Sequence, residues 1–408
     1  MSSKMILSYK IFNTKRYKSI FLLYFVFFLA SGPLEDSIAM LVSYLGFSES
    51  QYGLFLSIST FTLIFAPTII SFISEKFGPY IVSIIGVMLG FLGAFFIGLN
   101  LFTSWVVFLF VYAVLFARES FNFSIGNKIC ASIDDDISSR FFAIRDLFLY
   151  TSVSIGLLVG SFIARQFGFL LVYFVFSFVF LLSCGVILYI KNKNVLSKVD
   201  EQISSDDSED NPEVDKKNKR IKVKKILKQR AFIGFVLIDP LTSFYTSAMR
   251  FVPILGLSLG IDASNLMILI GVVSLINALG GLVLGHLFEK GRKNIYILDL
   301  IFDLFPAILF AFSQNATIFI IAYTISILRS IFSPISFAYF FDCFSEEDAP
   351  LALGILTSIG NATLTIMPFI VGILWVISHS LVFILSATAI IVATLIAIVI
   401  LPAKVKKR

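Results

Sequence analysis

Apolar and polar residues alternate along this chain on the scale of a membrane, with long apolar runs separated by short polar connections. A helix needs about 20 apolar residues to cross the hydrocarbon core. Runs of that length fall at about 19–46, 51–73, 80–100, 104–131, 141–165 and 168–190. Six more begin near Ala231, Ser264, Ile295, Ala316, Ala349 and Ser380, after a polar segment from Lys191 to Arg230. The pattern predicts an all-α membrane protein of twelve transmembrane helices. Its expected domains are an N-terminal six-helix bundle (1–190), a charged linker (191–230) and a C-terminal six-helix bundle (231–408).

Composition agrees. The 408 residues are 58% hydrophobic and 14% charged, with mean hydropathy +0.94, whereas soluble domains carry about 25% charged residues. The 47 Phe suit a lipid-facing surface. The net charge of +6 is not a nucleic-acid signal, because Lys and Arg collect in the tails and in every second loop. Loops after helices 2, 4, 6 and 8 carry Lys76, Arg140, the basic run beyond Lys216, and Lys290, Arg292 and Lys293. The alternate loops are nearly free of positive charge, with Arg165 the main exception. The positive-inside rule then puts both termini in the cytoplasm, in a bacterial inner membrane or a plasma membrane.

The first apolar run is longer than a signal-peptide core and contains Pro33, Glu35 and Asp36. It reads as a retained spanning helix. Within 191–230, an acidic half (Asp200 to Asp215) precedes a basic half (Lys216 to Arg230). With few large apolar residues the segment reads as a disordered tether, its basic end on the anionic inner leaflet.

The three cysteines, Cys130, Cys184 and Cys343, are far apart and show neither a disulfide framework nor metal spacing. His286 and His379 are isolated. No hydrolytic triad or phosphate-binding glycine loop appears, so the chain reads as a non-enzyme without cofactor or metal, and any active transport draws on an ion gradient.

An ionised side chain at the middle of a membrane costs about 2.5–3.5 kcal/mol on insertion scales. The deep ones are therefore the candidate chemistry: Glu35 and Asp36 in helix 1, Arg118 and Glu119 in helix 4, Asp239 and Arg250 in helix 7, and Arg329 in helix 10. A structural ion pair between helices and a site for a transported molecule both accommodate such groups. Two carboxylates in helix 1 suit a proton carrier, since burial and a nearby arginine push carboxyl proton affinity in opposite directions. Glu35 and Asp36 point about 100° apart on a helix, so one of them at most faces a given partner. Wetting at the outer rim is the plainer account of both. Pro33 removes a backbone hydrogen bond and lets helix 1 bend. Helix 9 is the misfit: Asp299, expected near the cytoplasmic surface, and Asp303 lie one turn apart and repel.

The two halves resemble each other. Tyr112 precedes Arg118 by six residues, as Tyr323 precedes Arg329. Gly32-Pro33-Leu34, Ala39-Met40 and Leu45-Gly46 in helix 1 return as Asp239-Pro240-Leu241, Ala248-Met249 and Leu255-Gly256 in helix 7. The shared order indicates a parallel six-plus-six repeat.

A family resemblance follows. The loop SFISEKFGPY from Ser71 resembles the G-x-x-x-D-R-x-G-R-R signature of the major facilitator superfamily, with Glu75, Lys76 and Gly78 at the acidic, basic and glycine positions. Ser71, Pro79 and Tyr80 depart from it. GHLFEKGRK from Gly285 is a second copy, one residue short, with Glu289, Lys290, Gly291 and Arg292. The resemblance implies a conformational latch in these loops, the glycine letting helices approach closely. It also implies that helices 1, 4, 7 and 10 line a central cavity, which matches where the deep charges lie. Arg118 is similar to the helix 4 arginine of the drug–proton antiporter branch. That branch continues R-x-x-Q-G, where this chain has Phe121 and Asn122. Gly156 and Gly160 supply helix 5 with close-packing positions, but the branch's Gly-Pro is missing.

On this reading the chain is a secondary transporter, working as a monomer by alternating access. Proton-coupled export of a lipophilic small molecule uses Glu35, Asp36 and Glu119 for the proton, and Arg118, Asn122, Asp239, Arg250 and Arg329 around the substrate. Two rivals stand beside it. One is uptake or exchange of a small organic anion clamped by Arg118 and Arg329; the other is a non-transporting membrane sensor or scaffold.

Overall fold

The computed structural model describes residues 15–102, 104–131, 138–193, 195, 223–284, 292–328, 339–345 and 348–402. Each apolar run opens a helix. In chain order they are α1 (Lys15–Asp36, resuming as Ile38–Tyr44), α2 (Glu49–Phe77), α3 (Pro79–Gly98), α4 (Trp105–Phe116, then irregular turns to Asn127–Ala131), α5 (Ser138–Phe167) and α6 (Phe169–Asn192). There follow α7 (Arg230–Met249 and Val252–Ser258), α8 (Ala263–Leu284), α9 (Arg292–Ala311), α10 (Ala316–Leu328), α11 (Ala349–Ile377) and α12 (His379–Ile400). Ten of these are long and apolar enough to span a membrane, and the apolar stretches of α8 and α10 are shorter among the described residues. No strand occurs among the described residues.

The chain divides into two compact units. Among the described residues, the first takes those within 1–41, 65–208 and 263–282, and the second those within 42–64, 209–262 and 283–408. In the first unit α1 packs on α5 and α6, α3 on α4 and α6, and α5 on α6. In the second the same pairings recur six helices later: α7 on α11 and α12, α9 on α10 and α12, and α11 on α12. The internal repeat read from Pro33 and Pro240 is thus a repeat of packing.

Aromatic rings fill the first unit: Phe27 stacks on Phe121 at 4.0 Å and Phe21 on Phe148 at 5.3 Å. Other rings, such as Phe65, Phe72, Phe110 and Phe162, point outward. In the second unit, Phe232, Phe235, Tyr339, Phe340 and Phe344 share an apolar core. The first half of α2 packs here, where Tyr52 donates to the Arg250 carbonyl (3.3 Å) and lies against Phe251 (4.9 Å).

The end of the charged segment departs from the expected tether. Residues 223–227 form a helical turn. Ile226 is fully buried in the core of the second unit, and Lys225 pairs with Asp348 at 3.2 Å. Ile226 anchors this end of a stretch that carries nine basic residues from Lys216 to Arg230. Asp299 and Asp303 are both buried among neighbouring side chains.

Candidate functional site

The centre of the first unit is built on glycines. Gly86, Gly90 and Gly93 recur along one face of α3, and α4 lies directly on them. A Cβ at Gly86 would come within 2.6 Å of the Ala117 carbonyl, and one at Gly90 within 2.9 Å of the Arg118 Cβ. A Cβ at Gly93 would strike the Leu115 backbone. With no side chains in between, α4 settles close and Arg118 is buried to 1% exposure.

α4 is irregular at this point. Ala117–Glu119 form a 3-10 turn and Asn122–Gly126 a π turn. A π turn widens the helix by one residue and disturbs its hydrogen bonds. The Ile125 amide donates to Ser83 Oγ on α3 (3.2 Å), and Ser83 Oγ also meets Ser124 Oγ at 2.5 Å. These bonds hold the turn and aim the side chains on either side of it.

Arg118 forms an ion pair with Glu35 of α1, lies 3.7 Å from the Glu119 carboxylate, and donates to the Leu115 carbonyl at 3.3 Å. Glu119 accepts from Asn122 Nδ2 at 2.9 Å. Glu35 and Glu119 thus face the same guanidinium group. Glu35 keeps 45% exposure on its other side, and Asp36 is exposed beside it. Only Glu35 of the two engages the arginine, as the 100° between successive positions requires.

α1 is positioned by two contacts. Gly156 of α5 receives the Pro33 ring: a Cβ there would come within 2.5 Å of Pro33 Cγ and 2.9 Å of the Leu29 carbonyl, which Pro33 leaves without its amide. Where the helix breaks at Ser37, Tyr173 of α6 donates to the Leu34 carbonyl (3.0 Å) and meets Ser37 Oγ at 3.2 Å. Tyr173 thus fixes the turn that presents Glu35 and Asp36. Sequence reasoning did not find Tyr173, Ser83 or the three α3 glycines. The glycine spacing of four and then three was the available signal.

The structure therefore brings Glu35, Arg118, Glu119 and Asn122 together. Asp239 is in the second unit, its carboxylate against Gly360 of α11. Arg250 is exposed at the break in α7, with its carbonyl bonded to Tyr52. Arg329, Glu289, Lys290 and Gly291 lie outside the described residues; Arg292 opens α9, and its side chain is also outside the description. Glu75 and Lys76 are exposed at the end of α2. The glycine rationale for this loop needs correction. Gly78 has φ +84° and a Cβ there would meet nothing within 4 Å, so glycine is needed for a left-handed turn, not for close packing.

Twelve apolar segments, a pairing pattern that repeats after six helices and a buried ionic cluster beside an open carboxylate define a polytopic carrier of small molecules. A family model of the Major Facilitator Superfamily matches residues 20–328 and 241–408. Among solved structures, a variant of the nucleoside transporter NupG superposes with TM-score 0.75 at 15% identity, covering 95% of this chain and 100% of that one. The D-xylose-proton symporter gives 0.70 at 14%, covering 94% and 98%. A bacterial homolog of the human lysosomal transporter Spinster gives 0.65 at 12%, covering 94% and 95%. These likenesses show the fold. No curated protein matches the chain. The chain belongs to the Major Facilitator Superfamily. It is a multi-pass integral membrane protein and a secondary transporter, not an enzyme.

Proposed function

We propose that this transporter exports a lipophilic, cationic small molecule in exchange for protons. The observation that carries the reading is the charge balance at Arg118. One buried guanidinium faces Glu35 and Glu119, with Asp36 adjoining, so the cluster is acidic by two charges. Two carboxylates share one guanidinium, and a proton taken up by the cluster relieves the repulsion between them. A cation arriving at the open side of Glu35 displaces that proton, and departure of the cation restores it. Arg118 keeps the remaining carboxylate ionised and prevents both sites from filling at once. Uniting the two steps requires alternating access, with the Pro33–Gly156 contact as the bend in α1.

In this reading the six-helix bundles are residues 1–190 and 231–408, both termini are cytoplasmic, and the monomer works in a bacterial inner membrane or a plasma membrane. The test is fluorescence-monitored proton movement in inside-out vesicles challenged with a panel of lipophilic cations. A responsive compound should collapse the pH gradient in the wild type and fail to do so with Glu35→Gln or Glu119→Gln. If both variants couple normally, the exchange mechanism is wrong.

A second reading, uptake or exchange of a small organic anion, is favoured by one observation: Arg118 Nε is buried without a hydrogen-bond partner among the described residues. It predicts that an organic anion, rather than a cation, moves protons, and that Arg118→Lys abolishes this, because lysine lacks the planar fork.

A further inference from the structure

α12 ends without the donors to close its own backbone. The last carbonyls of a helix have no intrahelical partner. Pro402 stands where the amide for the Ile398 carbonyl would be, and proline has no amide proton. Cations from two other helices supply what is missing. Lys293 Nζ, at the start of α9, donates to the Ile398 carbonyl at 3.0 Å and the Leu401 carbonyl at 2.6 Å. Arg230, which opens α7, donates to the Val399 carbonyl at 2.5 Å. Tyr339 Oη donates to the Pro402 carbonyl at 2.7 Å. Gly234, one turn into α7, lets the end of α12 come this close, since a Cβ there would lie 2.7 Å from Leu401 Cδ2.

Capping does not exhaust these cations. An ammonium has three protons and a guanidinium five. Among the described residues Lys293 uses two and Arg230 one. Arg230 is exposed and Lys293 is partly buried. Beside them, Ile226 shares a core with Ala397 and Leu401, which fixes the turn at 223–227. That turn and the residue after it put Lys224, Lys225, Lys228 and the apolar Leu227 at the surface. Against these five cations, the described residues of the same end bring two carboxylates, Asp342 and Asp348. Asp348 already pairs with Lys225 at 3.2 Å, and Asp239 and Asp299 lie farther along α7 and α9.

Exposed apolar side chains begin directly beside the charges. On α7, Ile233 and Leu237 follow Arg230 at helical spacing. On α12, Leu395 and Val399 make an outward stripe that runs up to the carbonyl capped by Arg230. Arg230 thus stands where both stripes end. A soluble anion would use the cations alone, whereas a phospholipid uses the cations for its phosphate and the stripes for its chains. Basic residues at helix ends also orient a membrane protein, but orientation requires no fixed geometry. Here two of the cations are pinned to the backbone of a neighbouring helix.

We propose that Arg230 and Lys293, with Lys224 and Lys228 beside them, form a binding site for the headgroup of an anionic phospholipid. Its phosphate rests on Arg230 and Lys293, and its chains lie along α7 and α12. Basic clusters next to spanning helices recruit such lipids. The bound lipid would tie the ends of α7, α9 and α12 together, so occupancy stabilises the second unit.

The test uses the full-length protein in an uncharged detergent. The probes are phosphatidylglycerol, phosphatidylcholine with the same chains, and glycerol phosphate as the soluble headgroup. A ligand that binds the folded state raises Tm with its concentration. Tm should rise saturably with phosphatidylglycerol and stay flat with the other two. Arg230→Gln combined with Lys228→Gln leaves Lys293 on the α12 carbonyls, and should raise the half-maximal phosphatidylglycerol about tenfold. Lys224→Gln combined with Lys228→Gln removes no cap from α12. It should shift the midpoint about threefold or more, and it serves if the first pair does not fold. Lys191→Gln combined with Lys193→Gln, at the end of α6, removes the same charge from the first unit and should bind as the wild type does. The proposal is overturned if the two lipids act alike, if glycerol phosphate reproduces the rise, or if the folded variant pair binds like the wild type. It also fails if the α6 pair weakens binding as much, which would reduce the effect to diffuse charge.

Discussion

Glu35→Gln tests how the buried arginine is held. Arg118 is 1% exposed and Glu35 45%, so the pair lies between two regimes. Removing one member of a fully buried pair costs about 3–5 kcal/mol, whereas exposed pairs are worth about 0–1 kcal/mol. Glutamine still accepts a hydrogen bond from the guanidinium, and Glu119 remains 3.7 Å away. The expected loss is therefore intermediate, about 1–3 kcal/mol. Arg118→Gln should be worse, because it leaves Glu35 and Glu119 facing each other with no cation between them. The double variant should recover part of the damage, with a coupling of about 1–2 kcal/mol in the range seen for contacting residues. Thermal unfolding of the purified protein in detergent reads this directly. For units of about 200 residues, each kcal/mol corresponds to roughly 2–4 °C. If Glu35→Gln unfolds within about 0.5 °C of the wild type and the cycle shows no coupling, the charge of Arg118 is held by something other than Glu35.

Other substitutions probe the supports of the site. Gly90→Ala puts a methyl 2.9 Å from the Arg118 Cβ and should destabilise by about 1–3 kcal/mol through overpacking, measured as Tm and as loss of transport. Tyr173→Phe strands the buried Leu34 carbonyl and should cost about 1–3 kcal/mol, whereas Tyr189→Phe at an exposed position should be silent; equal Tm for both would remove the capping role. Gly78→Ala forces a Cβ onto φ +84° and should cost about 1–2 kcal/mol in the same unfolding assay. Ile226→Ala should lose about 2–5 kcal/mol if the segment before α7 is part of the core, and limited proteolysis at 223–230 should speed up with it.

Much of the fold is legible because bilayer thickness imposes a length on each apolar run, and Lys and Arg gather in alternate loops, which composition cannot hide. The helix starts near Ala231, Ser264, Ile295, Ala316, Ala349 and Ser380 each fall within three residues of the observed ones. The repeat was legible from Pro33 and Pro240 because a proline in a helix leaves a mark that side-chain drift does not erase. Partners were less visible. Glu35 and Arg118 could be named as deep charges, but their pairing depends on how closely α3 and α4 approach and how α1 turns at Ser37. Glycines mark where approach is possible without saying which helix arrives. Gly156 reads as a packing position, yet only the structure shows that it receives Pro33.

Sequence alone decided that this chain crosses a membrane many times, that its halves are copies, and which ionisable groups bear the cost of burial. All three follow from periodicity and composition, which are properties of the chain before it folds. Tertiary structure decided which of those charges meet. It paired Arg118 with Glu35 rather than Asp36, set Asp239 against Gly360, and drew Ile226 out of a charged segment into a core. Such choices turn on contacts of a few ångströms between segments distant in sequence, and no local pattern encodes them.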